Sequence, residues 1–178
     1  MLPEAFQLTD KQFAVLRAMS TIMHSTEMDD FLTMVGLTSA ELVETLKGLA
    51  LDGFVTKTGK GYAIAEKGKL ALTVFTTLPK EKSFHFYSTI GQPLGVSATN
   101  IKEFYEIIRT IPSGSIEFHM KREDFENWVQ TAVKDNIFAR ELAVLRKEEL
   151  KGEALRQAIV AALVGRFSED VLFREWTA

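Results

Sequence analysis

The sequence has no cysteine, few histidines and no long hydrophobic run. Without cysteine there is no disulfide, no thiolate metal site and no cysteine nucleophile, which fits a reducing compartment, so we expect a cytoplasmic protein. The longest apolar run, Ala158 to Val164, is far too short to span a bilayer. No basic segment followed by an apolar run opens the sequence, so we expect no secretory signal and no membrane association.

The sequence also has no excess of positive charge. The formal net charge is −3, and neither half is basic, with 9 basic and 10 acidic residues up to Lys82 and 12 and 14 beyond it. This balance argues against purely electrostatic binding of nucleic acid, so any such contact must use a local patch. The 46 % apolar and 25 % charged composition is that of a folded globular chain.

The first eighty residues predict three helices followed by a hairpin. Capping-box patterns beginning at Thr9 and Thr38 predict the starts of the first and third helices. Helical spacing of apolar residues extends the first helix to about Ser25, and a short second helix is predicted over residues 29–35. Residues 54–65 predict two short strands around a glycine turn.

This order of elements resembles the winged helix-turn-helix domains of bacterial and archaeal transcription regulators. The resemblance covers roughly residues 8–78, and its motifs are Val35-Gly36-Leu37-Thr38, residues 49–55, and Gly61-Tyr62-Ala63-Ile64 with Lys67-Gly68. It implies that the third helix enters the major groove of double-stranded DNA while the hairpin, or wing, contacts the backbone. The expected function is therefore that of a DNA-binding transcriptional regulator.

The residues predicted to contact DNA fall on the third helix and the wing. On the helix, Glu44 and the absence of arginine make base reading poor. Four wing lysines suit phosphate contacts, although they also suit an ordinary solubilising role. The predicted contacts are Ser39, Thr45, Lys47, Lys57, Lys60, Lys67 and Lys69. The alternative is a protein–protein adaptor that docks a partner on this acidic helix without binding DNA.

The second half predicts a separate domain. Residues 79–83 form a polar, proline-containing linker between a first domain over 1–78 and a second domain over 84–178. In the second domain, strands are predicted over 84–90 and 115–120, with a loop around Gly91, Pro93 and Gly95 and a helix that Pro112 helps to stop. Asp124 is predicted to cap a further helix in which Phe125 and Trp128 are core residues, and two more helices are predicted over about 137–150 and 153–167. The expected fold class is α+β: a winged helix-turn-helix followed by a mostly helical domain with a small two-stranded pairing, for dimerisation or effector binding.

This half resembles an uncharacterised, largely archaeal family of domains over roughly residues 83–166. Its motifs are Phe84-His85-Phe86-Tyr87, Ser115-Ile116-Glu117-Phe118-His119 and Asp124-Phe125-Glu126-Asn127-Trp128. The resemblance implies no particular activity.

Four side chains of the two predicted strands form a candidate site. If the strands are neighbours, alternation puts His85, Tyr87, Glu117 and His119 on one face, where they could line a ligand site. Two histidines and a carboxylate can also bind a metal or transfer protons, whereas a histidine beside an acid is common on a half-buried sheet. No nucleophile motif or phosphate-binding glycine loop accompanies them. We therefore expect no enzyme activity, no cofactor and no metal.

Apolar stripes on the last helices could belong to the core or to a homodimer interface. A regulator of this class uses two-fold symmetry to match a two-fold operator, which favours a homodimer. The stripe residues are Leu142, Leu145, Leu155, Ile159, Ala162 and Leu163, with Phe173 and Trp176 in the tail.

Overall fold

The computed structural model describes residues 8–22, 28–173 and 176–177. The chain divides into two compact units, a first unit of Met1–Leu72 with Phe173–Ala178, and a second unit of Thr73–Leu172. The predicted α+β class is confirmed, because helices dominate and the strands of the described residues form two-stranded sheets. No helix within these ranges is long and apolar enough to cross a membrane.

The first unit begins with three helices. Its elements up to this point are β1 (Leu8–Thr9), α1 (Asp10–Thr21), α2 (Met28–Val35) and α3 (Ser39–Leu51). Both predicted capping boxes are confirmed, since Thr9 and Thr38 each accept a hydrogen bond from the backbone N–H three residues later. Helix α1 ends at Thr21, and its predicted end near Ser25 lies outside the described residues.

An antiparallel hairpin follows α3. Strands β2 (Val55–Thr58) and β3 (Gly61–Ile64) pair with Val55 opposite Ile64, and Gly59 and Lys60 connect them. Helix α4 (Glu66–Phe75) comes next. Its Gly68 lies so close to the carbonyl oxygen of Phe54 that an added Cβ would lie only 2.3 Å from that oxygen, so only glycine fits there. Near the end of the chain, β6 (Trp176–Thr177) pairs in parallel with β1.

The second unit joins one hairpin to a set of helices. After a 3-10 turn at Lys80–Lys82 its elements are β4 (Phe84–Thr89), β5 (Gln92–Ala98), α5 (Ile101–Ile108), α6 (Ser113–Lys121), α7 (Asp124–Trp128), a π-helical turn (Val129–Val133), α8 (Asn136–Lys147), α9 (Gly152–Phe167) and α10 (Glu169–Leu172).

The predicted strand over residues 115–120 is wrong, because this segment lies inside α6. Its buried residues Ser115, Ile116, His119 and Met120 follow helical spacing rather than alternation. Pro112, interpreted as part of a helix stop, is the residue that precedes α6, where a missing N–H costs no helical hydrogen bond.

The two-stranded pairing is a local hairpin instead. Strand β4 pairs antiparallel with β5, in the segment predicted as a loop because of Gly91, Pro93 and Gly95. Gly91 supplies the turn with a φ of +75°, a left-handed conformation that glycine adopts readily. Pro93 is compatible with β5 because a two-stranded sheet has only edge strands.

The core of the second unit is an aromatic cluster. Five aromatic side chains are buried together: Phe84, Phe86, Phe104, Phe125 and Trp128. The ring centroids are 4.8 Å apart for Phe84 and Phe86 and 5.2 Å apart for Phe104 and Phe125. The indole N–H of Trp128 donates to the carbonyl oxygen of Lys82 at 2.8 Å. Trp128 therefore belongs to the core, as its helical spacing with Phe125 predicts.

Most of the apolar stripe residues of α8 and α9 are also buried within this unit, whereas Leu145 and Ala162 are half-buried. Leu142, Leu155, Ile159 and Leu163 have almost no exposed surface in the single chain. They contribute to the core of the monomer, so a homodimer interface would have to use other residues. The homodimer stays a prediction.

Candidate functional site

Helix α3 presents a surface of mixed character. Ser39 is exposed at its start, whereas Thr45 is half-buried and its hydroxyl donates to the carbonyl oxygen of Glu41 at 2.7 Å. Lys47 Nζ lies 2.9 Å from Glu44 Oε1, and this hydrogen bond raises the pKa of Lys47. Hydrogen bonds from Thr38 and the neighbouring Lys11 lower the pKa of Glu41 to about 2. The positive charge of α3 is therefore balanced locally.

Two of the four wing lysines have other contacts. The ammonium of Lys67 lies 5.0 Å from the ring centroid of Phe54, and Lys69 Nζ lies 2.6 Å from Glu66 Oε1. Lys57 and Lys60 are exposed and form no ion pair with any residue in the described ranges. The uncompensated positive charge of the hairpin is therefore concentrated at its tip.

In the second unit, His119 uses both ring nitrogens. The residue is 2 % exposed, Nε2 accepts a hydrogen bond from the backbone N–H of Tyr87 at 2.8 Å, and Nδ1 lies 2.8 Å from Asp124 Oδ2. Because Nε2 is an acceptor, the proton of the neutral ring must be on Nδ1, which donates to Asp124. Burial lowers the pKa of His119, although the hydrogen bond and charge of Asp124 oppose this effect.

These contacts fix helix α6 against strand β4. Ser115 Oγ donates to the carbonyl oxygen of Tyr87 at 2.7 Å, so two α6 side chains satisfy both backbone groups of this residue. Because Nδ1 carries the proton, a metal ion or an incoming proton would have to bind the Nε2 lone pair of His119. The Tyr87 N–H already occupies that lone pair. The geometry thus gives His119 a positioning role.

Asp124 differs from its predicted role as a helix cap. The residue before α7 is Glu123, which adopts a left-handed φ of 64° and makes no side-chain cap. This corner turns the Asp124 carboxylate towards His119, and Asp124 also accepts a hydrogen bond from Arg122 Nε at 3.2 Å. Side-chain donors from the end of α6 therefore replace the backbone donors of α7 that the sequence predicts.

Three of the four predicted ligand-lining residues meet at one cavity. His85, Tyr87 and His119 line a space of about 440 Å³ between the β4–β5 hairpin and the α6–α7 corner. Glu117 does not join them, since its Oε1 accepts the N–H of Gly152 at 2.7 Å and the residue lines a different cavity. The helical period of α6 causes the separation. No group of three or more His, Asp or Glu side chains in the described ranges could hold a metal ion.

The cavity also contains residues that the sequence did not assign to the candidate site. Arg122 and Asn127 supply polar groups, and Phe84, Phe118 and Ile90 supply apolar walls. Arg122 lies in a run of charged residues, which is typical of a solvent-exposed segment. Its position beside Asp124 follows from the corner between α6 and α7, which the sequence did not predict.

The fold and these sites define a two-unit α+β protein with an aromatic-cored second unit. A family model matches residues 81–177, and the chain accordingly belongs to DUF5752, a family of unknown function. The match includes the segment 83–166 in which the uncharacterised-family motifs occur, whereas residues 1–80 lie outside it. No curated protein and no solved structure matches the chain.

Proposed function

We propose that the first unit is a winged-helix module that binds double-stranded DNA, and that the protein is a transcriptional regulator. The observation that carries the proposal is the succession of helices α1 to α3 and the β2–β3 hairpin, with the unpaired lysines Lys57 and Lys60 at the hairpin. In helix-turn-helix proteins the helix after the turn lies in the major groove. Here that helix is α3, which follows Gly36 and Leu37.

The charge distribution favours backbone contact over base reading. Lys47 is paired with Glu44, and α3 offers no arginine, asparagine or glutamine for bidentate contact with a base. Lys57 and Lys60, in contrast, are exposed lysines on a hairpin and suit phosphate oxygens. We expect binding that depends strongly on salt and only modestly on DNA sequence.

The test is the salt dependence of duplex binding by Lys57→Ala/Lys60→Ala. If both lysines contact phosphates, the slope of log affinity against log salt should flatten by about 0.9 for each lysine, or about 2 in total. Lys80→Ala/Lys82→Ala is the matched control, because it removes the same charge from exposed positions of the second unit. An equal slope change in both variants, or no duplex binding at low salt by the unmodified protein, would reject the proposal.

A second candidate function is docking of a protein partner on α3. Val43 and Leu51 are 47 % and 89 % exposed, and helical spacing places them on the same side as Lys47. Exposed apolar side chains contribute little to DNA binding, whereas they are usual at a protein interface. The role of the second unit in dimerisation or effector binding is part of the first proposal, and sedimentation analysis of the full chain tests the homodimer.

A further inference from the structure

We propose that the cavity between the β4–β5 hairpin and the α6–α7 corner binds a small aromatic carboxylate. The ligand ring lies among Phe84, Phe118 and Ile90, and Arg122 holds the carboxylate. The cavity lies entirely within the second unit, so the inference does not depend on DNA binding by the first unit.

The walls of the cavity suit a single aromatic ring. Its volume of about 440 Å³ falls within the rough range of 300–1,000 Å³ for small-molecule sites. The rings of Phe84 and Phe118 lie 4.9 and 5.0 Å from the His119 ring, which forms a buried floor. Ile90 lies in the hairpin turn and is 79 % exposed, so a ring bound against it would remove apolar surface from water.

Arg122 supplies the anion-binding group. Its Nε donates to Asp124, and its guanidinium carbon lies 5.2 Å from the Phe118 ring centroid, while its terminal nitrogens make no hydrogen bond to any residue in the described ranges. A guanidinium with two terminal donors matches the geometry of a carboxylate. The ring of His85 and the side-chain amide of Asn127 also line the cavity, and neither forms a hydrogen bond with another residue in the described part of the chain.

The charges around the cavity allow at most one negative charge on the ligand, because Arg122 and Asp124 form an ion pair and already offset each other. Asp124 is the cavity's carboxylate, and it already accepts hydrogen bonds from His119 and Arg122. Arg122 is the cavity's cation, so a dianion such as phosphate would face Asp124 with too little compensation. A monocarboxylate is the anion that this arrangement fits.

The first experiment measures binding of benzoate to the full-length protein by ligand-observed NMR and calorimetry. Benzamide has nearly the same shape without the charge, and acetate has the charge without the ring. We expect saturable benzoate binding, with both controls weaker by about tenfold or more, because each lacks one of the two recognised features.

Two variants locate the binding. Arg122→Gln should weaken benzoate binding by about tenfold or more, whereas Arg109→Gln, which alters another exposed arginine stacked on an aromatic ring, should leave it unchanged. Ile90→Glu adds a repelling charge at an exposed turn and should weaken binding while the melting temperature stays close to that of the unmodified protein.

Three outcomes would overturn the inference: no saturable benzoate binding, equal binding of benzamide, or full binding by a folded Arg122→Gln variant. Because the measurements contain no DNA, they are independent of the outcome for duplex binding.

Discussion

His119 shows how one side chain can join three parts of a fold. Its Nε2 accepts the Tyr87 N–H of β4, its Nδ1 donates to Asp124 at the start of α7, and its own backbone belongs to α6. The contacts give the Tyr87 N–H its acceptor and Asp124 a second donor beside Arg122. The residue that the sequence marked as a candidate ligand therefore stabilises the wall of the cavity.

Replacing His119 with phenylalanine should destabilise the protein while keeping an aromatic ring of similar size. The variant removes the acceptor of the Tyr87 N–H and one of the two donors to the Asp124 carboxylate, so we expect a loss of about 2–4 kcal/mol in the free energy of unfolding. His85→Phe alters an exposed histidine of β4 and should change the free energy of unfolding by less than about 0.5 kcal/mol. Urea unfolding followed by tryptophan fluorescence measures both, and equal losses would contradict the positioning role.

The same histidine should make stability depend on pH. Burial lowers the pKa of His119 in the folded state, whereas an unfolded chain has the ordinary histidine pKa of about 6.5. At pH values just below about 6.5 the unfolded chain therefore binds more protons than the folded protein does. The free energy of unfolding should therefore fall as the pH decreases below about 6.5, and recover as it rises towards that value. Comparison with His119→Phe isolates the contribution, and an identical pH profile in the variant would exclude it.

At the scale of elements, Glu117 provides a tertiary cap for another helix. Helix α9 begins at Gly152, and the preceding Lys151 makes no side-chain cap. The carboxylate of Glu117 on α6 accepts the Gly152 N–H instead, at 2.7 Å. The negative charge also lies near the positive end of the α9 dipole. The contact ties α6 to α9 across a long stretch of sequence.

Glu117→Ala should destabilise the second unit by about 1 kcal/mol, because the first N–H of α9 loses its acceptor. Glu117→Gln keeps an oxygen at the same position and should retain most of the stability. Thermal unfolding of the two variants tests this difference. A loss in the glutamine variant as large as that in the alanine variant would show that charge, rather than the hydrogen bond, dominates.

At the scale of the whole molecule, the two proposed functions place different demands on the charge of the α3 surface. The chain is slightly acidic, and the α3 surface combines the Glu44–Lys47 pair with exposed Val43 and Leu51. If α3 faces DNA, the Glu44 carboxylate lies near phosphates and repels them, whereas a protein partner would cover the apolar side chains of this surface. The two functions therefore predict different effects of removing the acidic charge.

Glu44→Gln should strengthen duplex binding by about two- to threefold at low salt if α3 faces DNA, because one repulsive charge near the phosphates is removed. Glu81→Gln alters an exposed glutamate of the second unit and is the matched control. Fluorescence anisotropy with a labelled duplex gives both affinities. Unchanged affinity in Glu44→Gln would favour protein docking on α3.

Local signals predicted the first unit well and part of the second unit poorly. Thr9 and Thr38 cap helices through backbone groups only three residues away, so their pattern needs no tertiary partner. Residues 115–120, in contrast, fit alternation and helical spacing equally over so short a stretch. Their burial against β4 selected the helix, and that choice moved Glu117 away from His119.

The sequence alone determined the capping boxes at Thr9 and Thr38, the β2–β3 hairpin and the core position of Trp128. Caps, turn residues and apolar spacing depend on residues only a few positions apart in the chain. Tertiary structure decided the His119–Asp124–Tyr87 contacts, the cap of α9 by Glu117, and the pairing of Arg122 with Asp124. These groups are far apart in sequence or turned by the left-handed corner at Glu123. Only packing of α6 and α7 on the hairpin brings them together.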